Sequence, residues 1–252
     1  IKKNNIITHR NMNSKYESEI NYHLSKYGYF QANNSSICIN EFNKIVDFAN
    51  SLISKCERNN PEKGSLNNKT FMYDAIRLSD SDLNDDLINF SLNNEYIKGI
   101  KEYLGKDPRL ISIKILVSNP IEHESRNKSQ LFHLDDQSER MVKLIIPISR
   151  IDRNSGPFTF IPKPKSERIC KLINYGFPFK DSNITERNEA LYQLKRSEIQ
   201  FKGDKSDFIL IDTSKCLHKG SINIVNQRVI FMISYNGGTR TNLIKEPMNI
   251  SL

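Results

Sequence analysis

Leu110-Ile-Ser-Ile-Lys-Ile-Leu-Val117 is the point at which this sequence changes character. Before it, apolar residues recur at helical spacing. Within it they alternate and are rich in the β-branched residues that strands favour. The same texture returns at Met141–Ile148, Phe158–Ile161, Glu198–Phe201, Asp207–Ile211 and Arg228–Tyr235. Turn residues punctuate these runs: Asn154-Ser-Gly-Pro157, Pro162 with Pro164, Gly203, and Gly220 with Ser221. Short strands in series, mostly without helices between them, predict a jelly roll or barrel rather than a parallel α/β sheet. The expected fold class is α+β, mainly β.

Upstream, residues 1–35 read as polar and irregular up to Tyr27-Gly-Tyr-Phe30, a turn into a short edge segment. From Asn40, an N-cap candidate, Phe42, Ile45, Val46, Ala49, Leu52 and Ile53 predict a helix ending before Asn59-Asn-Pro61. Thr70–Tyr73 reads as a short strand. Further helices are expected over Asp82–Ser91 and over Asn94–Leu104, the latter stopped by Gly105. The organisation expected is one domain over 1–252, mainly helical over 1–107. A jelly-roll core follows over 108–252, with an insertion near 165–198 that is helical over Thr185–Arg196.

Composition narrows the partners. The 252 residues carry a formal net charge of +8, but the lysines are dispersed, no basic cluster interleaves with aromatics, and tryptophan is absent. That pattern argues against a polynucleotide and suits a small anionic substrate. No run is long and apolar enough to span a bilayer, and no segment reads as a secretion signal. Cys38, Cys56, Cys170 and Cys216 lack paired spacing, so reduced thiols in a cytoplasm are expected. The sequence does not speak to oligomeric state.

Chemistry concentrates in Gln130-Leu-Phe-His133-Leu-Asp135-Asp136 and in His218. On a strand, positions i and i+2 share a face, so His133 and Asp135 aim an imidazole and a carboxylate at one point. Asp136 would face away. His218, in the turn-like Lys215-Cys-Leu-His-Lys-Gly220 after an apolar strand, is placed to be a third ligand. Two histidines and one carboxylate on one face leave open positions on an octahedral ion, which suits Fe(II) with a cosubstrate and O2. An H-x-D triplet alone is common by chance, and each histidine alone reads as a surface or packed residue. The ordered set carries the weight. Arg228 closes it, standing directly before Val229-Ile-Phe-Met-Ile-Ser234. A guanidinium turned inside a barrel is costly unless it meets an anion, and its planar fork matches a carboxylate.

In these residues the chain resembles the iron(II)/2-oxoglutarate-dependent oxygenases, and among them the phytanoyl-CoA dioxygenase-like group. The matching stretches are His133-Leu-Asp135, Asn154-Ser-Gly-Pro-Phe-Thr-Phe-Ile-Pro162, Gly203-Asp204, and Asp212-Thr-Ser-Lys-Cys-Leu-His218-Lys-Gly220 followed by Arg228. They cover roughly residues 108–236. The resemblance implies a double-stranded β-helix with His133, Asp135 and His218 as iron ligands and Arg228 on the remote carboxylate of 2-oxoglutarate. It implies conversion of 2-oxoglutarate to succinate and CO2, coupled to hydrogen removal from a substrate and usually to hydroxylation. Halogenating relatives have a small residue in place of the carboxylate, so Asp135 favours a hydroxylase. Where family members carry Gly-Ser-His after Ile-Pro, this chain has Lys163-Pro-Lys-Ser166, and no role of that histidine carries over.

Two further residues are candidates for cosubstrate contact. Lys143 sits mid-strand in Val142-Lys-Leu-Ile-Ile146, facing either inward to 2-oxoglutarate or an anionic substrate, or outward to solvent. Gln130 directly precedes the ligand segment. Tyr73 and Arg77 are weaker candidates for a substrate mouth, with the loops at 119–129 and 165–198 as lids. The competing readings are the same chemistry on RNA or protein, and a non-catalytic β-barrel binding module.

Overall fold

The computed structural model describes residues 16–32, 39–59, 72–78, 85–92, 95–120, 128–173, 175, 197–205, 207–220 and 225–237. In chain order these form α1 (16–27), β1 (Tyr29–Ala32), α2 (Ile39–Asn59), β2 (Met72–Asp74), α3 (Ala75–Leu78), α4 (Asp85–Leu92) and α5 (Glu95–Leu104). They continue as β3 (Arg109–Ser118), a 3-10 turn (Lys128–Gln130), β4 (Met141–Pro147), β5 (Phe158–Phe160), α6 (Lys163–Leu172), β6 (Ile199–Phe201), β7 (Phe208–Asp212), β8 (His218–Lys219) and β9 (Arg228–Asn236).

Among the described residues, antiparallel strands build a six-stranded sheet of order β1-β7-β4-β9-β3-β2 and a three-stranded sheet of order β6-β5-β8. This is the α+β, mainly β, jelly-roll class. Alternation along each strand explains how the large sheet is covered twice. Val142, Leu144 and Ile146 of β4, and Val229, Phe231, Ile233 and Tyr235 of β9, join one core with Ile20, Leu24, Ile45, Ala49, Leu52, Leu87 and Ile100 from the helices. The opposite faces contribute Ile145, Ile209, Ile211 and Ile230, which pack with Phe160 and Phe201 of the small sheet. A strand buried on both faces reads as a continuous apolar run, which is why β4, β7 and β9 were conspicuous in the sequence. No described helix is long and apolar enough to cross a membrane.

Two expectations are corrected. The stretch taken as irregular up to residue 35 contains α1, whose Ile20 and Leu24 are buried against the sheet. Its polar face dilutes the periodic signal. Pro162 and Pro164 end β5 as expected, but they also start α6: Pro162 is the N-cap position, and a proline at the first turn forfeits no helical hydrogen bond. The region read as an insertion from 165 thus begins inside a helix that belongs to the fold. Tyr73, half-buried, packs against the helix-side core. The helix expected over Thr185–Arg196, and most of the 119–129 loop with His123, lie outside the described residues, as does His9.

Candidate metal centre

His133 is not on a regular strand. It forms a single antiparallel bridge with His218, each backbone N–H donating to the other's carbonyl at 3.0 Å. The bridge fixes the two rings side by side, with centroids 4.3 Å apart. Two residues on, the Asp135 N–H donates to the Thr213 carbonyl at 2.9 Å. Apolar neighbours alternate with the ligands: Phe132, Leu134 and Leu217 turn outward and pack with Ile161 and Ile169 of α6. Burying a side chain of this size stabilises by roughly 1.5–3 kcal/mol, so the ligand segment is held by its own non-ligand residues. The Ser166 hydroxyl adds a polar tie, donating to the Ile161 carbonyl at 2.8 Å and accepting from the Leu217 N–H at 2.9 Å.

Ring orientation follows from local hydrogen bonds. Nδ1 of His133 lies 2.8 Å from the Leu131 carbonyl, and Nδ1 of His218 lies 3.0 Å from the Cys216 carbonyl. A carbonyl can only accept, so each Nδ1 carries the hydrogen and each Nε2 presents a lone pair. Burial pushes the His218 imidazole down to about 3, which keeps it neutral and ready to coordinate. Burial pushes the Asp135 carboxyl up, but the charge and hydrogen bond of the Lys143 ammonium, together with its other polar neighbours, hold the carboxyl well below the usual range. The potential ligand atoms of His133, Asp135 and His218 all lie within 4.8 Å of one another. Two neutral imidazole nitrogens and one ionised carboxylate are a donor set for a divalent transition metal such as iron.

Lys143 faces inward from β4. Its Nζ is 2.6 Å from Asp135 Oδ2, and both side chains are largely buried. Asp135 Oδ1 lies on the histidine side, 3.8 Å from His218 Nε2. Asp136 is exposed and turned away. Arg228 opens β9 and is buried, with Nη2 donating to the Ser118 hydroxyl at 3.1 Å. Its Nε and Nη1 are buried without a hydrogen-bond partner among the described residues. Burial alone brings this guanidinium down to about 10, so a partner anion would restore it. A Cβ at Gly220 would stand 3.9 Å from Arg228 Nη2, which places the guanidinium beside the turn that leaves His218. Gln130 is buried, and the carbonyl of its neighbour Ser129 accepts from the Gly220 N–H at 2.8 Å.

Cys216 does not face the centre. Its thiol lies 3.5 Å from the Gly28 carbonyl, and burial raises it well above the ordinary thiol range. Asp212 was quoted in the motif without a role, and it organises the turn before His218. Its Oδ1 accepts from the Ser214 N–H at 2.9 Å and hydroxyl at 2.6 Å, and its Oδ2 accepts from Tyr103 at 2.5 Å. The signal available in the sequence was an acid ending the apolar strand Phe-Ile-Leu-Ile-Asp212. Tyr175 is a second such residue: its Oη accepts from the Leu134 N–H at 3.4 Å, between two ligands. Nothing in its sequence context marks it.

No family model matches the chain, and no curated protein matches it. Solved structures do match in fold. The epimerase SnoN in complex with Fe3+, alpha ketoglutarate and nogalamycin RO superposes with a TM-score of 0.60 at 12% identity, covering 92% of this chain and 93% of that one. The non-heme alpha ketoglutarate dependent carbocyclase SnoK gives 0.57 at 13% identity, covering 89% and 88%. EctD from S. alaskensis with 2-oxoglutarate and 5-hydroxyectoine gives 0.58 at 13% identity, covering 86% and 74%. At such identities the likeness is one of fold.

Proposed function

We propose that this chain is a non-haem iron(II)- and 2-oxoglutarate-dependent dioxygenase. The observation that carries the reading is the pairing of a two-histidine, one-carboxylate donor set with a buried arginine whose Nε and Nη1 lack partners. His133 and His218 would hold Fe(II) through Nε2 and Asp135 through Oδ1. Arg228, held by Ser118, would receive the remote carboxylate of 2-oxoglutarate, with Gln130 a further candidate for cosubstrate contact. The Lys143 ammonium has donors beyond the one on Asp135 and would lie beside the chelating end. Bound there, Fe(II) with 2-oxoglutarate and O2 supplies the oxidising power to take a hydrogen from a substrate carbon, with succinate and CO2 as coproducts.

Hydroxylation is the outcome we favour, because Asp135 occupies the position that halogenases leave open. The order of the motifs supports the phytanoyl-CoA dioxygenase-like group within this reading. The substrate is a small, acidic metabolite in this reading. Its support is the +8 charge and the exposed Lys165, Arg168 and Lys171 on α6, the helix packed against the ligand segment. A reducing cytoplasm, which keeps iron ferrous, is the compatible setting.

The test is anaerobic addition of Fe(II) and then 2-oxoglutarate, followed by visible charge-transfer absorption, and succinate release on admitting air. Both are expected in the wild type and lost in His133→Ala. A wild type that binds neither metal nor 2-oxoglutarate overturns the assignment. Charge reversal at Lys165 and Arg168 is expected to raise the KM of an acidic substrate without changing succinate release in its absence.

A further inference from the structure

We infer that Lys143 is a positioning residue that confines Asp135 to one-oxygen coordination and so keeps a third metal position open beside the two that a chelating cosubstrate fills. The inference rests on the metal-site reading above. Lys143 belongs to the inward face of β4, level with Ile211 on one neighbouring strand and Ser234 on the other. A lysine mid-strand between two cores is expensive to bury without a partner of opposite charge. That partner is a single atom, Oδ2 of Asp135, at 2.6 Å. The other oxygen faces the histidines. Asp135 is held in this attitude from two sides: its N–H on the Thr213 carbonyl and the Lys143 ammonium beside Oδ2.

The consequence is a matter of counting positions. A carboxylate free to use both oxygens would take two sites on an octahedral ion, and two histidines would take two more. A chelating 2-oxo acid would then fill the remainder and leave none for O2. With Oδ2 engaged by Lys143, Asp135 takes one site and three stay open. The ammonium has an opposite effect on the metal itself, since a positive charge next to the ligand repels a cation. Lys143 therefore weakens metal binding while keeping that third position open. An ordinary structural residue would support metal binding.

The experiment uses Co(II) as the probe in the full chain, comparing wild type with Lys143→Met, whose unbranched side chain fills similar space. Calorimetry gives the Co(II) affinity, and titration of the Co(II) form gives the 2-oxoglutarate affinity. The visible Co(II) spectrum before any 2-oxoglutarate is added reports coordination. Expected in Lys143→Met are a Co(II) affinity raised by about tenfold or more and a changed spectrum. The 2-oxoglutarate affinity should change by less than about threefold, since the two positions it chelates remain. Loss of both affinities would make Lys143 merely structural and overturn the inference. A fall in 2-oxoglutarate affinity with metal affinity and spectrum unchanged would make it a cosubstrate contact instead, and also overturn it. Should Lys143→Met not fold, a crystal structure of the wild type with Co(II) decides: one Asp135 oxygen on the metal and Lys143 on the other supports the inference, and both oxygens on the metal refutes it. A wild type that takes up no Co(II) defeats the site reading itself, a distinguishable failure.

Discussion

Tyr103, in the last turn of α5, donates its hydroxyl to Asp212 Oδ2 at 2.5 Å, joining residues 109 positions apart. The pair connects the helical first part of the chain to the turn that leads to His218. Asp212 Oδ1 meanwhile receives the Ser214 N–H and hydroxyl and, at 3.3 Å, the Met141 N–H. Asp212→Ala would leave these buried donors unmet and is expected to cost about 3 kcal/mol or more. Asp212→Asn keeps an acceptor toward Ser214 and lets the Tyr103 hydroxyl turn to accept, for about 1 kcal/mol. Urea unfolding of the two variants checks this. Equal losses would show that the polar cluster is not what the carboxylate provides.

The same residue gives a pH dependence. Burial pushes the Asp212 carboxyl above its ordinary value, against the pull of Ser214 and Tyr103. The folded protein therefore keeps this proton to higher pH than the unfolded chain does, so the group's contribution is present below about 4 and is lost as pH rises through the raised value. Asp212→Asn carries no such loss. Its stability relative to the wild type is expected to improve steadily from pH 4 toward 7. Parallel stability curves over that interval would refute the shift.

Much of this was legible in the sequence because alternation and two-sided burial leave strong marks. The expected strands at Leu110–Val117, Met141–Ile148 and Arg228–Tyr235 match β3, β4 and β9 to within a residue or two. His133, Asp135 and His218, singled out by their order along the chain, are brought together by the structure: Phe132 and Leu134 alternate with the two donors, and the bridge to His218 fixes the segment. His218 begins a two-residue strand where a turn was expected, because its pairing partners, Phe160 and His133, lie far away in sequence. Lys143 was left between two faces, since alternation fixes which residues share a side but not which side is inward. The ion pair with Asp135 chooses. Tyr103 and Tyr175 act across long separations and carry no local signature.

Arg228 offers a trade between stability and binding. A buried guanidinium with Nε and Nη1 lacking partners is a cost to the empty fold, and replacing it with an apolar side chain of similar length removes that cost. Arg228→Met is expected to raise the melting temperature of the ligand-free protein, by about 1–3 kcal/mol in stability, and to abolish the further rise on adding 2-oxoglutarate. Arg228→Lys keeps the charge but not the fork and should weaken 2-oxoglutarate by about 10–100-fold. Ser118→Ala frees the guanidinium to reorient and should weaken it less, by about threefold to tenfold. Thermal shift with and without 2-oxoglutarate measures all three. A full ligand-induced shift in Arg228→Met would remove Arg228 from the site.

Gly28 is the residue on which the approach to His218 rests. Its φ of 80° lies where side chains are disfavoured, and a Cβ there would come within 2.5 Å of Cys216 Sγ and 2.8 Å of Lys163 Cβ. Its carbonyl accepts from the Asp212 N–H at 2.8 Å, so it cannot retreat without loosening the turn. Gly28→Ala is expected to destabilise by about 2–4 kcal/mol, combining backbone strain with overpacking. The two causes separate in a double-mutant cycle. Cys216→Ala removes the nearer clashing atom, so Gly28→Ala should cost less in that background, leaving the clash with Lys163 Cβ and about 1–2 kcal/mol of strain from the positive φ. Unfolding curves for the four proteins measure the coupling. If Gly28→Ala costs the same with and without the Cys216 thiol, the contact between this turn and the segment leading to His218 is not the source of the constraint.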